Sequence, residues 1–126
     1  MSSKRIATNL AEEIAADWKV IPKLAKLRVI AAERNVDISR PTAILRQKRI
    51  TRFPEAPKTH RQAEMLLTIV SDRQDFDAAA DEIEEWVYAA LDYLDTRFRP
   101  SEEADAVLYN ERFAYDIPFT VITDKE

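Results

Sequence analysis

The chain of 126 residues contains no glycine, where average usage of about 7% would give about nine. Phosphate-cradling loops of the Walker and dinucleotide types need glycine so that the backbone can approach the phosphate closely. ATPase, GTPase and Rossmann oxidoreductase readings are therefore excluded. Cysteine is also absent, which removes disulfides, a thiolate nucleophile and sulfur-ligated metal sites. No apolar run approaches the roughly 20 residues of a membrane span, and the polar start Met1-Ser2-Ser3-Lys4-Arg5 leads into an amphipathic segment rather than a signal-peptide core. The expectation is a protein that stays in the cytoplasm where it is made.

Chemistry-bearing patterns are equally scarce. The single histidine, His60, has no acid closer than Glu55 and Glu64, so it reads as an ordinary surface or loop residue. No serine carries the flanking glycines of a nucleophile elbow. Acids crowd the stretch from Asp75 to Glu85, but neither Glu-x-x-His nor EF-hand spacing occurs. These acids read as a solvated helix face favoured by the helix dipole. No catalytic residue, metal ligand or cofactor is expected.

What the chain does have is an ordinary globular balance, with 46% hydrophobic and 33% charged residues. Ile6, Leu10, Ile14 and Trp18 recur every four residues and predict an amphipathic helix from Ser3 to Trp18. Trp18 to Pro22 is a short apolar run closed by proline, which predicts a brief first strand at a sheet edge. Residues 23 to 35 fit a helix through Leu24, Leu27, Ile30 and Ala31, although Leu27 to Ile30 also suits an extended segment; helix is the expectation. Pro41 pushes Arg40 out of the α region, so a strand should restart at Thr42 and run to Arg52. Pro54 and Pro57 mark a loop.

A second long strand is expected from about Arg61 to Ser71, with Ala63, Met65, Leu67 and Ile69 on one face and Glu64, Leu66, Thr68 and Val70 on the other. Asp75 to Asp95 is the clearest helix, capped by Asp75 and striped by Phe76, Ala79, Ile83, Trp86, Val87, Ala90, Leu91 and Leu94. After a loop around Pro100, Arg112 to Thr123 alternates, with Phe113, Tyr115, Ile117, Phe119 and Val121 on one side. Pro118 favours an edge or bulge position for this last strand. The order predicts one α+β domain over residues 1–126, with an antiparallel or mixed sheet of about four strands and helices packed on one face.

Charge is segregated along the chain. From Arg40 to Arg61 there are seven bases and one acid, a balance of +6; from Asp72 to Asp105 there are twelve acids and three bases, a balance of −9, and the whole carries −4. The basic stretch has only Phe53 to stack on a base, so sequence-specific nucleic-acid binding is not expected. Opposite charges on one small domain suit head-to-tail association instead. The candidate interface residues are Arg46, Lys48, Arg49, Arg52, Lys58 and Arg61 on the basic side, and Asp81, Glu82, Glu84 and Glu85 on the acidic side.

The stretches RPTAILRQKRITRFPEAPKTHRQAEMLLTIVSD, DFDAAADEIEEWVYAALDYL and YNERFAYDIPFTVIT together resemble the tail terminator proteins of long-tailed (siphovirus-type) bacteriophages, particularly those of actinobacteria. The resemblance spans about residues 18 to 123. Its parts are the Pro41-Thr42 strand opening, the Pro54 to Pro57 connection, the Ala90-Leu91-Asp92 step and the Tyr115-Asp116 pair in an aromatic-alternating strand. The chain departs from that pattern in having no glycine near Lys58-Thr59. The resemblance implies a homo-oligomeric, usually hexameric, ring that sits on the last tail-tube ring, stops tube growth and presents a surface to the head-tail connector protein. Such a ring belongs to the virion tail or neck, is assembled in the host bacterial cytoplasm, and leaves a passage for DNA; no membrane contact is implied. Other readings are a neighbouring connector or tail-completion ring, a small nucleic-acid-binding module, and, more remotely, a hydrolase using an acidic pair.

Overall fold

A computed structural model describes residues 6–32, 34, 36–52, 60–100 and 104–124, and of 48–52, 60–62, 99–100 and 122–124 it describes the backbone. Its elements follow the order α1 (Ile6–Trp18), β1 (Arg28–Ala31), β2 (Thr42–Arg52), β3 (His60–Val70), α2 (Phe76–Arg97), β4 (Arg99–Pro100), β5 (Asp105–Tyr109) and β6 (Arg112–Asp124). The fold is α+β. The sheet runs β1-β2-β3-β6-β4, with β5 also paired to β6. It is mixed, because β1 lies parallel to β2 while the other pairs are antiparallel. Six strands among the described residues thus stand where about four were expected.

Both helices pack on one face. Side chains alternate across a strand, and Ala43, Leu45, Ala63, Met65, Leu67, Ile69, Ile117 and Phe119 all join one buried cluster with Leu10, Ile14 and Trp18 of α1 and Ile83, Trp86, Ala90 and Leu94 of α2. Fully burying an aliphatic side chain of this size contributes about 1.5–3 kcal/mol, so this layer dominates the stability of the fold. The expected faces of β3 and β6 are those observed. Helix α2 also starts as its sequence dictates: the Asp75 carboxylate accepts from the Asp77 N–H at 3.0 Å.

The expected strand at Trp18 to Pro22 is not formed, and neither is the helix over residues 23 to 35. The chain instead makes successive turns, with Ile21 N–H donating to Trp18 O, Leu24 N–H to Ile21 O and Leu27 N–H to Leu24 O at 3.0–3.1 Å. The turns bury Trp18, Leu24 and Leu27, with Ile21 half-buried at the step between the first two, while Val20 is 82% exposed. A two-residue alternation could not do this. Residues 28–31 then add to the edge of β2 as the short parallel strand β1, the extended alternative for Leu27 to Ile30. A crossover from Ala32 to Pro41 leads back to β2 over the opposite sheet face, where Ile38 packs with Ile44, Val70, Tyr109 and Ala114.

The β5–β6 hairpin, absent from the sequence expectation, turns through Asn110 (φ 52°) and Glu111 (φ 66°). Two consecutive positive φ values are the signature of a type I′ turn, normally built with glycine. Tyr109 Oη accepts from Val36 N–H at 2.9 Å and Asn110 Nδ2 donates to Val36 O at 3.1 Å, tying the turn to the crossover.

Strand β6 is interior rather than an edge, with β3 on one side and β4 and β5 on the other. Pro118 is tolerated there for a geometric reason. Ser71 N–H donates to Phe113 O across β3 and β6, and backbone direction alternates residue by residue. Pro118 therefore turns its nitrogen away from β3. On that other side β5 pairing ends at Asp116 and β4 pairing begins at Phe119, so the missing N–H falls in a gap.

Candidate assembly surfaces

The basic residues cluster because of where β1 stops. Its pairing covers β2 only to Leu45, with Ala32 N–H adding one bond to Leu45 O. From Arg46 to Arg52 no strand among the described residues pairs with β2 on that side. Arg46, Lys48, Arg49 and Arg52 all lie on this open edge, and the register shifts between Gln47 and Arg49 at a bulge. Bulges and basic side chains blunt sheet edges against indiscriminate pairing. Arg49 stands opposite Glu64, but Arg52 stands opposite Arg61, with no opposite charge facing it in the register. Lys58 lies outside the described residues, as does the Pro54 to Pro57 loop.

Arg46 is engaged within the chain. Its Nη2 donates to Thr68 Oγ1 (3.1 Å), which donates to Asp116 Oδ1 (2.6 Å), and Arg46 Nη2 lies 3.9 Å from that carboxylate oxygen. Thr68 is fully buried. The row crosses β2, β3 and β6 on the helix-free face, so much of the Arg46 charge is satisfied inside the chain.

The acidic residues separate similarly. Asp81, Glu84 and Glu85 lie on the outward face of α2 with Asp77, Asp92 and Asp95, all exposed and none in an ion pair among the described residues. Glu82 instead turns aside to pair with Arg73 through two hydrogen bonds, at 3.0 and 3.3 Å. That pair helps wall a cavity of about 480 Å³ shared with Lys26, Arg40 and Asp72. Among the described residues no group of three or more acids or histidines is arranged to hold a metal ion, and no helix is long and apolar enough to cross a membrane. His60 begins β3 opposite Asp124.

A feature that the sequence reading missed lies beside α2. Phe76, Tyr88 and Leu108 are 47%, 63% and 65% exposed. Leu108 stands opposite Phe113 in the hairpin, Phe113 contacts both Phe76 and Tyr115 (ring centroids 6.1 and 5.8 Å apart), and Tyr115 lines a groove of about 330 Å³ with Glu84, Val87, Tyr88, Leu91 and Ala104. The result is an apolar strip beside β5 on the helix side of the sheet, bordered by Glu84, while Asp105, in register with Asp116, lies on the other face. The signal was present in the sequence as Tyr88 interrupting the acidic face of α2.

No protein-family model matches the chain, and no curated protein matches it closely enough to mark a relative.

Proposed function

We propose that the chain is a structural subunit of a long-tailed bacteriophage, a tail terminator that forms a ring on the end of the tail tube, stops its growth and joins it to the head-tail connector. It acts by assembly, without turnover or cofactor. The observation that carries this reading is the segregation of charge: bases along an open β2 edge, acids across the outward face of α2. Exposed apolar patches mark interaction sites, surfaces of opposite charge suit unlike contacts between subunits, and heterologous contacts form rings where the rotation closes. The resemblance of the strand, helix and aromatic-strand motifs to tail terminators supplies the address.

The test uses the tail-tube protein encoded with this chain. Purified tube protein is polymerised with and without it, and tube lengths are read by negative-stain microscopy. Tubes that stop short and carry a ring at one end are the expected result; unchanged lengths with bare ends overturn the reading. Binding to DNA at low salt that collapses as salt rises, without any effect on tubes, would favour the nucleic-acid module instead.

A further inference from the structure

We infer that the open β5 edge with its apolar strip is the docking site for the open β2 edge of a second copy of this chain, so that the sheet continues from subunit to subunit. The inference rests on the assembly reading above and names the two surfaces that meet.

Two like-charge oppositions lie at opposite margins of the sheet. On β2 and β3, Arg52 stands directly opposite Arg61. On β5 and β6, Asp105 stands directly opposite Asp116. Like charges directly opposed across strands are destabilising. Asp116 is relieved by Thr68 and Arg46, whereas Asp105 is exposed and has no partner among the described residues. Asp105 thus leaves a negative charge at the β5 margin, while the β2 edge from Arg46 to Arg52 carries four bases and no acid, the sign that would neutralise it.

The backbone agrees with the charge. β2 offers an edge seven residues long, Arg46 to Arg52, and β5 one of five, Asp105 to Tyr109. Unpaired edges are templates for strand addition. Two β2 edges, each basic, would repel each other, and two β5 edges would leave the β2 edge of both copies uncovered, so the unlike pairing is the one that matches opposite charges, and the contact is head-to-tail. The strip formed by Leu108, Phe113, Phe76 and Tyr88 then gains the cover it lacks in one copy.

Two charge-swapped variants test this together. Glu84→Arg/Asp105→Arg makes the β5 margin basic, and Lys48→Glu/Arg52→Glu makes the β2 margin acidic. Self-association is measured by sedimentation across a concentration series, with circular dichroism and thermal melting to confirm folding. Wild type should associate, more weakly as salt rises; each variant alone should lose at least ~10-fold in affinity. An equimolar mixture should assemble again, because each variant's altered margin complements the other's. Misfolded chains could not recover on mixing, and the neutral versions, Glu84→Gln/Asp105→Asn and Lys48→Gln/Arg52→Gln, should show intermediate losses.

A monomeric wild type, variants that associate as tightly as wild type, or folded variants that stay apart when mixed would each overturn the inference. Tube capping by a protein whose assembly ignores the swaps would sink the docking inference and leave the tail reading standing. Complementation with tubes unaffected would do the reverse.

Discussion

Asp105 and Asp116 face each other across β5 and β6, and among the described residues a counter-charge stands beside Asp116 but not beside Asp105. This opposition should make the isolated subunit less stable than its sequence permits. Asp105→Asn should therefore stabilise the monomer by up to about 1 kcal/mol while weakening self-association. Urea unfolding under monomeric conditions, set beside sedimentation at higher concentration, separates the two effects. A loss of stability without any change in association would mean that Asp105 serves the fold rather than the contact.

The row Arg46, Thr68 and Asp116 depends on its buried middle member. Thr68→Val keeps the shape but removes the hydroxyl that accepts from Arg46 and donates to Asp116. Leaving a partly buried carboxylate and guanidinium without that bridge should cost about 1–3 kcal/mol. A double-mutant cycle with Asp116→Asn by urea denaturation should show clear coupling; additive effects would show that the bridge contributes nothing.

Glu111 occupies the left-handed region without being glycine, a conformation that costs an ordinary residue roughly 1–2 kcal/mol. Glu111→Gly relieves that strain but gives the unfolded chain more freedom, so a net gain of about 0.5–1 kcal/mol is expected from thermal or urea unfolding. The reverse probe is Asn110→Ala, which keeps a strained turn and loses the bond to Val36 O; it should destabilise by at least ~1 kcal/mol. Equal stability of all three proteins would rule out strain at this turn.

Parts of this fold were legible because one physical rule dominated locally. β3 and β6 carry a two-residue period long enough to fix which face is buried, β2 is announced by Pro41, and α2 carries both a cap at Asp75 and a broad stripe. The region from Trp18 to Ala31 was misread because no local rule governs it: its turns exist to bury Trp18, Leu24 and Leu27, and β1 is extended because the β2 edge is there to pair with. β5 escaped notice because its turn uses Asn110-Glu111, where a glycine would have announced a hairpin. The charge blocks were visible in the sequence, but their division was not. Arg46 and Glu82 are engaged within the chain, through partners 22 and 9 residues away, while the open edges and the apolar strip emerge only from the register.

Tyr93 joins the two helices. Its hydroxyl donates to Asp17 Oδ2 at 2.6 Å, its ring meets Trp18 edge-on at 5.9 Å, and Arg97 contacts both Asp17 and Glu13. Burial first, and then the hydrogen bond to Asp17, raise its pKa above the ordinary 10.0. The folded state therefore holds the phenol proton more tightly than the unfolded state does. Its contribution to stability is fully present below pH 10 and is lost as pH rises beyond it. Tyr93→Phe should be less stable by about 1 kcal/mol near neutral pH, and the difference should narrow as the medium is taken above about pH 10. Urea midpoints of both proteins across that range provide the measurement. A constant difference at every pH would mean that the phenol proton plays no part in holding α1 against α2.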